Sequence, residues 1–230
     1  MQKLNTTTPL FQLLIIGLLN LFSCTVAANQ TDHQFEKPIM KSFTKSYRDI
    51  KFVRTTPPQS FSLGQGQNRL ALVIGNGRYD NVSKLANPEN DATDIANALH
   101  RLGFEVIQAH NSTHQGMARA LDDFSQRLKR NKGVGLFYYA GHGIGVSGKN
   151  YLLPVDAKIE KQSDIRFETM DLARVLEEMA AANNPLNIVV LDACRDNPFM
   201  GSLRNINRGL AQISAPSGTL LAYATAPGDV

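Results

Sequence analysis

Cysteine is scarce in this chain of 230 residues, which contains two cysteines and no tryptophan. Neither cysteine stands in a CxxC, an HExxH or a paired His/Cys pattern, so the sequence predicts no structural metal and requires no cofactor. Charge is also modest, with 19% charged residues and a formal net charge of +4. Because the chain has no basic run and no basic stripe with interleaved aromatics, we expect no nucleic-acid partner.

A long apolar run is missing as well. The apolar segment near the start, Leu10 to Phe22, is shorter than the roughly 20 residues that a membrane-spanning helix needs. Together with the small residues Val26-Ala27-Ala28, this segment predicts an export signal over residues 1–28. An uncleaved hydrophobic anchor is the alternative.

The tetrapeptide Leu21-Phe22-Ser23-Cys24 resembles a lipoprotein box. A lipidated Cys24 would tether the protein to a membrane, whereas cleavage after Ala28 would release a soluble protein with Cys194 as its one cysteine. Both routes stay open at this point. We therefore expect an exported protein that is periplasmic, secreted or anchored as a lipoprotein.

Residues 29–68 are polar and carry Pro57-Pro58 and several glycines without a sustained period, which predicts a flexible linker. A short strand or helix around Phe43 to Val53 is only weakly signalled. From Arg69 to Val230, apolar runs alternate with amphipathic stretches of helical spacing. We interpret this second part as one folded domain of the α/β class.

The predicted elements follow one another in the order of a doubly covered sheet. Strands are predicted over Leu70 to Gly75, Phe104 to Ala109, Gly133 to Ala140, Tyr151 to Val155, Leu186 to Ala193 and Thr219 to Ala224. Helices are predicted over Glu89 to Leu102, after a cap at Ser112 or Thr113, and over Met170 to Ala182. This alternation predicts a mostly parallel sheet with helices on both faces.

Two of these strands end in side chains that can do chemistry. The run V-G-L-F-Y-Y-A stops at Gly141-His142-Gly143, and the run N-I-V-V-L-D-A stops at Cys194. Neither run alternates with polar residues, which is typical of strands buried on both faces of a parallel sheet. Functional crevices lie at the carboxyl ends of such strands. The sequence therefore predicts a nucleophilic dyad of His142 and Cys194.

Each half of this dyad has a simpler interpretation. A lone cysteine is more often a small buried hydrophobe, and a histidine between glycines can be structural. Cys194, however, stands between Asp192 and Arg195, where an apolar filler is not expected. A thiol reacts as its thiolate, which a nearby imidazole favours. The glycines beside His142 leave a bare N–H that could face an oxyanion.

These residues carry a family resemblance. The segments Tyr138 to Gly143 and Leu191 to Pro198 resemble the His and Cys motifs of the bacterial caspase-like peptidases, which are relatives of the metacaspases. Leu72 to Asn76 and Leu85 to Ala92 resemble the first strand of that family and the start of its first helix. The resemblance covers Arg69 to Val230. It implies a three-layer caspase-like sandwich and a cysteine endopeptidase that acts on a protein or peptide substrate.

The resemblance also assigns roles. Cys194 would attack a peptide carbonyl to form a thioester, and His142 would protonate the leaving amine and then activate water. The backbone N–H groups of Gly143 and Cys194 would hold the oxyanion. Metacaspase-like enzymes cleave after Arg or Lys through acidic residues that match Asp91 and Asp192 here. Carboxylates suit a cationic side chain, although Asp91 could also serve only the N-terminus of its helix.

The sequence leaves calcium binding, the C-terminus, the activity and the oligomeric state open. The calcium-binding acids of metacaspases have no match here, so no metal is assigned. The chain ends at Val230 where family members usually continue, so we expect the domain to be C-terminally incomplete. A catalytically impaired caspase-like module that binds a protein partner is therefore the main alternative, and a small-molecule thiol hydrolase rests on fold analogy alone. The oligomeric state is not predicted.

Overall fold

The computed structural model describes residues 51–54, 67–194, 199 and 210–223. The predicted export signal with Cys24 lies outside these residues, as does most of the predicted linker. Export, lipidation and the location of the protein therefore stay predictions from the sequence. Within the described part of the chain, no helix is both long and apolar enough to cross a membrane.

Strands and helices alternate along the described chain as the sequence predicts. The strands are β1 (Lys51–Arg54), β2 (Asn68–Gly75), β3 (Glu105–His110), β4 (Gly133–Val146), β5 (Lys149–Leu152), β6 (Met170–Asp171), β7 (Leu186–Cys194) and β8 (Thr219–Tyr223). The α-helices are α1 (Pro88–Arg101), α2 (His114–Arg130), α3 (Ile165–Glu168) and α4 (Leu172–Ala181), with a 3-10 turn at Gln162–Asp164.

The sheet is mostly parallel. Its strand order is β1-β8-β7-β4-β2-β3, and the pairs from β8 through to β3 are all parallel. β5 and β6 extend from β4 as a small antiparallel branch. The prediction of a mostly parallel α/β sheet is confirmed.

Helices cover both faces of this sheet. On one face, α2 and α4 pack against Phe137 and Tyr139 of β4. On the other face, α1 packs against Tyr138 and Ala140, the residues that alternate with them. This alternation follows from the two-residue period of a strand, so both side-chain sets of β4 are buried. The three layers agree with the predicted sandwich.

The start of α2 confirms a predicted cap, and the start of α4 corrects a predicted helix boundary. Thr113 caps α2, and its hydroxyl accepts a hydrogen bond from the N–H of Gly116. The predicted helix from Met170 begins two residues late, at Leu172. Met170 and Asp171 pair with β5 instead, and the Asp171 carboxylate caps α4 by accepting from the N–H of Ala173.

Part of the predicted linker belongs to the sheet. Lys51–Arg54 pairs antiparallel with Leu220 to Tyr223 and forms the edge strand beyond β8. The weak signal around Phe43 to Val53 therefore overlaps a real strand. A four-residue strand leaves too little pattern in the sequence to identify it, because its partner lies more than 160 residues further along the chain.

The strand that carries His142 is longer than predicted. The sequence places its end at Ala140, but β4 continues to Val146 and all of its 14 residues are buried. The continuation pairs with β5 through Ile144 and Val146, whose side chains join a third apolar cluster. Gly141, Gly143 and Gly145 lie inside this strand, and neighbouring side chains leave no room for a Cβ at the first two of them.

Candidate active site

The strand register brings His142 and Cys194 side by side. β4 and β7 run parallel, and His142 is the direct register partner of Cys194 in the last pair of that ladder. Neighbouring strands lie about 4.8 Å apart, so the two residues are adjacent at the carboxyl edge of the sheet. The predicted meeting of the imidazole-bearing and thiol-bearing residues is present in the backbone.

A backbone carbonyl orients the imidazole. His142 is 2% exposed, and its Nε2 lies 2.8 Å from the carbonyl oxygen of Ser83. A carbonyl can only accept, so Nε2 carries the proton and Nδ1 is the basic nitrogen of the neutral ring. Ser83 lies in the segment between β2 and α1. It has no sequence signal, because its backbone rather than its side chain makes this contact.

Two tyrosines hold the backbone of His142. The N–H of His142 donates to the hydroxyl of Tyr79 at 2.8 Å, and the hydroxyl of Tyr139 donates to the carbonyl oxygen of His142 at 2.8 Å. The two hydroxyl oxygens are 3.3 Å apart. The Tyr79 ring also lies against the imidazole, with centroids 4.7 Å apart. Tyr79 has no sequence signal, because it stands in a loop without a periodic pattern.

A buried asparagine joins the loops around this network. Asn76 is fully buried and follows β2 directly. Its side-chain N–H donates to the carbonyl of Leu153 at 3.0 Å, and its side-chain oxygen accepts from the N–H of Ser112 at 2.9 Å. Its own N–H donates to the carbonyl of Ala140 on β4. Buried amides with satisfied bonds of this kind fix loop positions, which keeps the edge around His142 in one arrangement.

Glycine is required at position 141. Its φ is +155°, and a Cβ there would lie 2.6 Å from the hydroxyl oxygens of both Tyr79 and Tyr139. We therefore expect Gly141→Ala to destabilise the protein by about 3–5 kcal/mol through crowding and backbone strain. Urea unfolding measures this. Gly148→Ala is the matched control, because its φ is +77° but nothing lies within 4 Å of its Cβ. Gly148→Ala should lower the free energy of unfolding by about 1–2 kcal/mol. Equal decreases in both variants would contradict the prediction.

The N–H of Gly143 turns away from β5. The N–H of Leu153 donates to the carbonyl of His142, which makes that pair a hydrogen-bonded one in the antiparallel ladder. Such pairs alternate, so Gly143, opposite Leu152, takes a non-hydrogen-bonded position. Leu210 packs over Gly143, at 2.9 Å from where a Cβ would be. This N–H therefore lies on the β7 side of the strand, and the oxyanion role of Gly143 stays a prediction.

The two predicted acidic residues interact. Asp91 lies in the first turn of α1 and Asp192 lies on β7, two residues before Cys194. Burial, followed by the negative charges of Asp192 and Asp94, raises the pKa of Asp91 to about 6. Burial also raises the pKa of Asp192, against a hydrogen bond from Tyr138 that lowers it. Two partly buried carboxylates thus repel each other beside the dyad.

The described residues hold no evident metal site. Among them, no group of three or more His, Cys, Asp or Glu side chains is placed to bind a metal ion. The arrangement can instead support nucleophilic chemistry. It combines an imidazole with a fixed tautomer, an adjacent cysteine and two partly buried carboxylates, those of Asp91 and Asp192, whose surroundings we call the acidic recess.

The geometry defines an α/β protein in which a histidine and a cysteine are neighbours at the carboxyl edge of a parallel sheet. A family model described as the caspase domain matches residues 68–230, and the chain belongs to this family of cysteine peptidases. The predicted family resemblance is confirmed at that level. The bacterial branch and the metacaspase-like subgroup stay predictions.

Several animal proteins are similar to this chain. Human mucosa-associated lymphoid tissue lymphoma translocation protein 1 is 35% identical over 130 residues, which is 56% of this chain and 15% of that protein. Mouse caspase-12 is 26% identical over 151 residues, covering 64% of this chain and 34% of the relative. Horse caspase-1 is 26% identical over 157 residues, which is 66% of this chain and 35% of that protein. The chain thus spans about a third or less of these relatives' lengths.

A solved structure supports the fold. The Drosophila initiator caspase Dronc superimposes with a TM-score of 0.50 at 14% identity, covering 77% of this chain and 68% of that chain. At this identity the likeness shows the fold alone. The predicted caspase-like fold class is confirmed.

Proposed function

We propose that this chain is a cysteine endopeptidase that cleaves after Arg or Lys through a dyad of His142 and Cys194. The observation that carries the proposal is their register pairing at the carboxyl edge of β4 and β7. Membership of a cysteine peptidase family supports the reaction class. The fixed imidazole of His142 supports its role as acid and base.

The chemistry follows from these positions. Nδ1 of His142 takes the proton of the Cys194 thiol, the thiolate attacks the scissile carbonyl carbon, and the carbonyl electron pair moves onto oxygen. The N–H groups of Gly143 and Cys194 donate to that oxyanion, and losing one such donor typically costs about a hundred- to a thousand-fold in rate. His142 then gives its proton to the leaving amine as the C–N bond breaks. The resulting thioester is hydrolysed by water, from which His142 removes a proton.

The acidic pair supports basic specificity. Asp91 and Asp192 repel each other beside the dyad, and a guanidinium or ammonium group between them would relieve that repulsion. Arg suits the site best, since its planar fork can bind a carboxylate with two hydrogen bonds. An aspartate side chain at the same place would add a third negative charge, so we expect peptides that end in Asp to be poor substrates.

A peptide panel tests the proposal. The full chain is given fluorogenic peptides that differ only in ending with Arg, Lys or Asp, and the Cys194→Ala protein supplies the background rate. We expect Arg and Lys peptides to be cut at least about a hundred-fold faster than Asp peptides, because the Asp side chain meets charge repulsion. Assays with and without added calcium show whether calcium matters.

Two outcomes would contradict parts of the proposal. Faster cleavage of Asp peptides would keep the dyad and remove the roles given to Asp91 and Asp192. A folded protein that cuts none of the peptides would favour the alternative, a catalytically impaired module that binds protein partners through the same edge of the sheet.

A further inference from the structure

We propose that Tyr138 is a positioning residue of the acidic recess, whose hydroxyl holds the Asp192 carboxylate in the orientation that receives a cationic side chain. This inference rests on the basic specificity proposed above. It adds a residue outside the dyad and the acidic pair, one that lies in the sheet and presents no charge of its own.

The strand register places Tyr138 next to Asp192. Tyr138 is the register partner of Val190, and Ala140 is the register partner of Asp192, so Tyr138 and Asp192 lie diagonally on the same face of β4 and β7. That face is the one covered by α1, whose first turn carries Asp91. The hydroxyl of Tyr138 donates to Oδ2 of Asp192 at 3.2 Å. The three side chains therefore share one recess.

A phenol suits this position better than a cation would. Tyr138 is 2% exposed, and its burial together with the charges of Asp192 and Asp91 raises its pKa well above the usual value. The hydroxyl therefore stays protonated and remains a donor at any working pH. It orients one oxygen of Asp192 without neutralising the carboxylate, which leaves Oδ1 and the negative charge for a ligand. Lys or Arg in its place would cancel the charge.

The simpler view is that Tyr138 only fills the core beside α1. Its ring does pack there among Ala92, Ile95 and Val190. Tyr138→Phe keeps that ring and removes only the hydroxyl, so the variant separates the two roles. A core role predicts a change in stability alone, whereas the positioning role predicts a change in charge selectivity.

The test compares peptides ending in arginine and in citrulline, its uncharged isostere. We expect Tyr138→Phe to lower kcat/KM for the arginine peptide about tenfold, mainly through KM, since a hydrogen bond to a charged group is lost. The citrulline peptide should change by less than about twofold, because it does not depend on the carboxylate charge. In an Asp192→Asn background, Tyr138→Phe should have no further effect on selectivity, as expected for residues that act as one unit.

A binding measurement separates this inference from the peptidase proposal. In the Cys194→Ala protein, calorimetry gives the affinity of a tripeptide amide ending in arginine, with and without Tyr138→Phe. Tyr151→Phe is the matched control, because Tyr151 is half-buried on β5 and packs against the third apolar cluster rather than against α1. About tenfold weaker binding in the Tyr138 variant alone supports the inference, even if no peptide is hydrolysed.

Two results would overturn it. Equal affinity for the arginine tripeptide with and without the Tyr138 hydroxyl would show that Tyr138 only fills the core. No affinity for the tripeptide in the protein that keeps Tyr138 would remove both this inference and the basic specificity. If peptides are still hydrolysed although the arginine tripeptide does not bind, the catalytic roles of His142 and Cys194 would stand.

Discussion

Replacing His142 by alanine is expected to lower kcat for peptide hydrolysis by about a hundred- to ten-thousand-fold, the range that general acid–base groups contribute. The loss has two sources. The thiol of Cys194 no longer has an imidazole to favour its thiolate, and the leaving amine no longer receives a proton. KM should change little, because the imidazole is assigned no contact with the substrate side chain.

His110→Ala is the matched control for this experiment. His110 also ends a strand at the same edge of the sheet, but it is exposed on β3 beside Gln108. Its loss should leave peptide hydrolysis within about twofold, as for most surface substitutions. Circular dichroism and urea unfolding check that both variants remain folded. A His142→Ala protein that keeps more than a tenth of the activity would contradict the role of His142 as acid and base.

The two dyad residues should also fail to act independently. Groups that work as one catalytic unit show strongly non-additive losses, so the double variant Cys194→Ala with His142→Ala should be about as inactive as Cys194→Ala alone. Additive losses would mean that His142 acts on another step. In that case the contact between its Nε2 and Ser83 would be structural only.

The neighbouring positions of His142 and Cys194 could be predicted because they depend on strand ends. Two unbroken apolar runs identify buried parallel strands, and such strands must deliver their last residues to one edge. The in-register pairing of His142 with Cys194 is the outcome of that rule. Helices α1 and α2 were predictable for a similar reason, since their apolar residues recur at spacings of three and four.

The surroundings of His142 could not be predicted in this way. Ser83 contributes a backbone carbonyl, which any residue type offers, and Tyr79 lies 63 residues before the N–H that it accepts. At Gly141, within the extended β4, the two tyrosine hydroxyls come too close to leave room for a Cβ. Contacts of this kind are set by tertiary packing and leave no periodic pattern in the sequence.

Removing both charges of the acidic pair is expected to abolish the preference for arginine over citrulline peptides. Each carboxylate bound to a guanidinium contributes about 1.5–3 kcal/mol, or about ten- to a hundred-fold in kcat/KM. Asp192→Asn and Asp91→Asn should each lower kcat/KM for the arginine peptide within that range and leave the citrulline peptide nearly unchanged. Asp94→Asn is the control, because Asp94 lies one turn further along α1 and only adds to the repulsion on Asp91.

Asp91 and Asp192 should make the preference for arginine peptides depend on pH, and they should also lower the stability of the free protein. The groups that face Asp91 are Asp192 and Asp94, and its pKa of about 6 means that it takes up a proton below that pH and no longer attracts a cation. The arginine preference should therefore fall between pH 7.5 and pH 5, and Asp91→Asn should flatten that fall.

Stability changes with pH in the opposite direction to the arginine preference. A carboxyl whose pKa is raised from 3.8 to about 6 on folding destabilises the native state progressively as the pH rises through that interval. Asp91→Asn should thus raise the melting temperature at pH 7.5 and have a much smaller effect at pH 4, while it lowers selectivity. A variant that loses selectivity without gaining stability at pH 7.5 would show that burial and the neighbouring carboxylates do not raise the pKa of Asp91 in the free protein. We therefore expect the acidic recess to lower the stability of the free protein, and a bound cationic side chain to restore it.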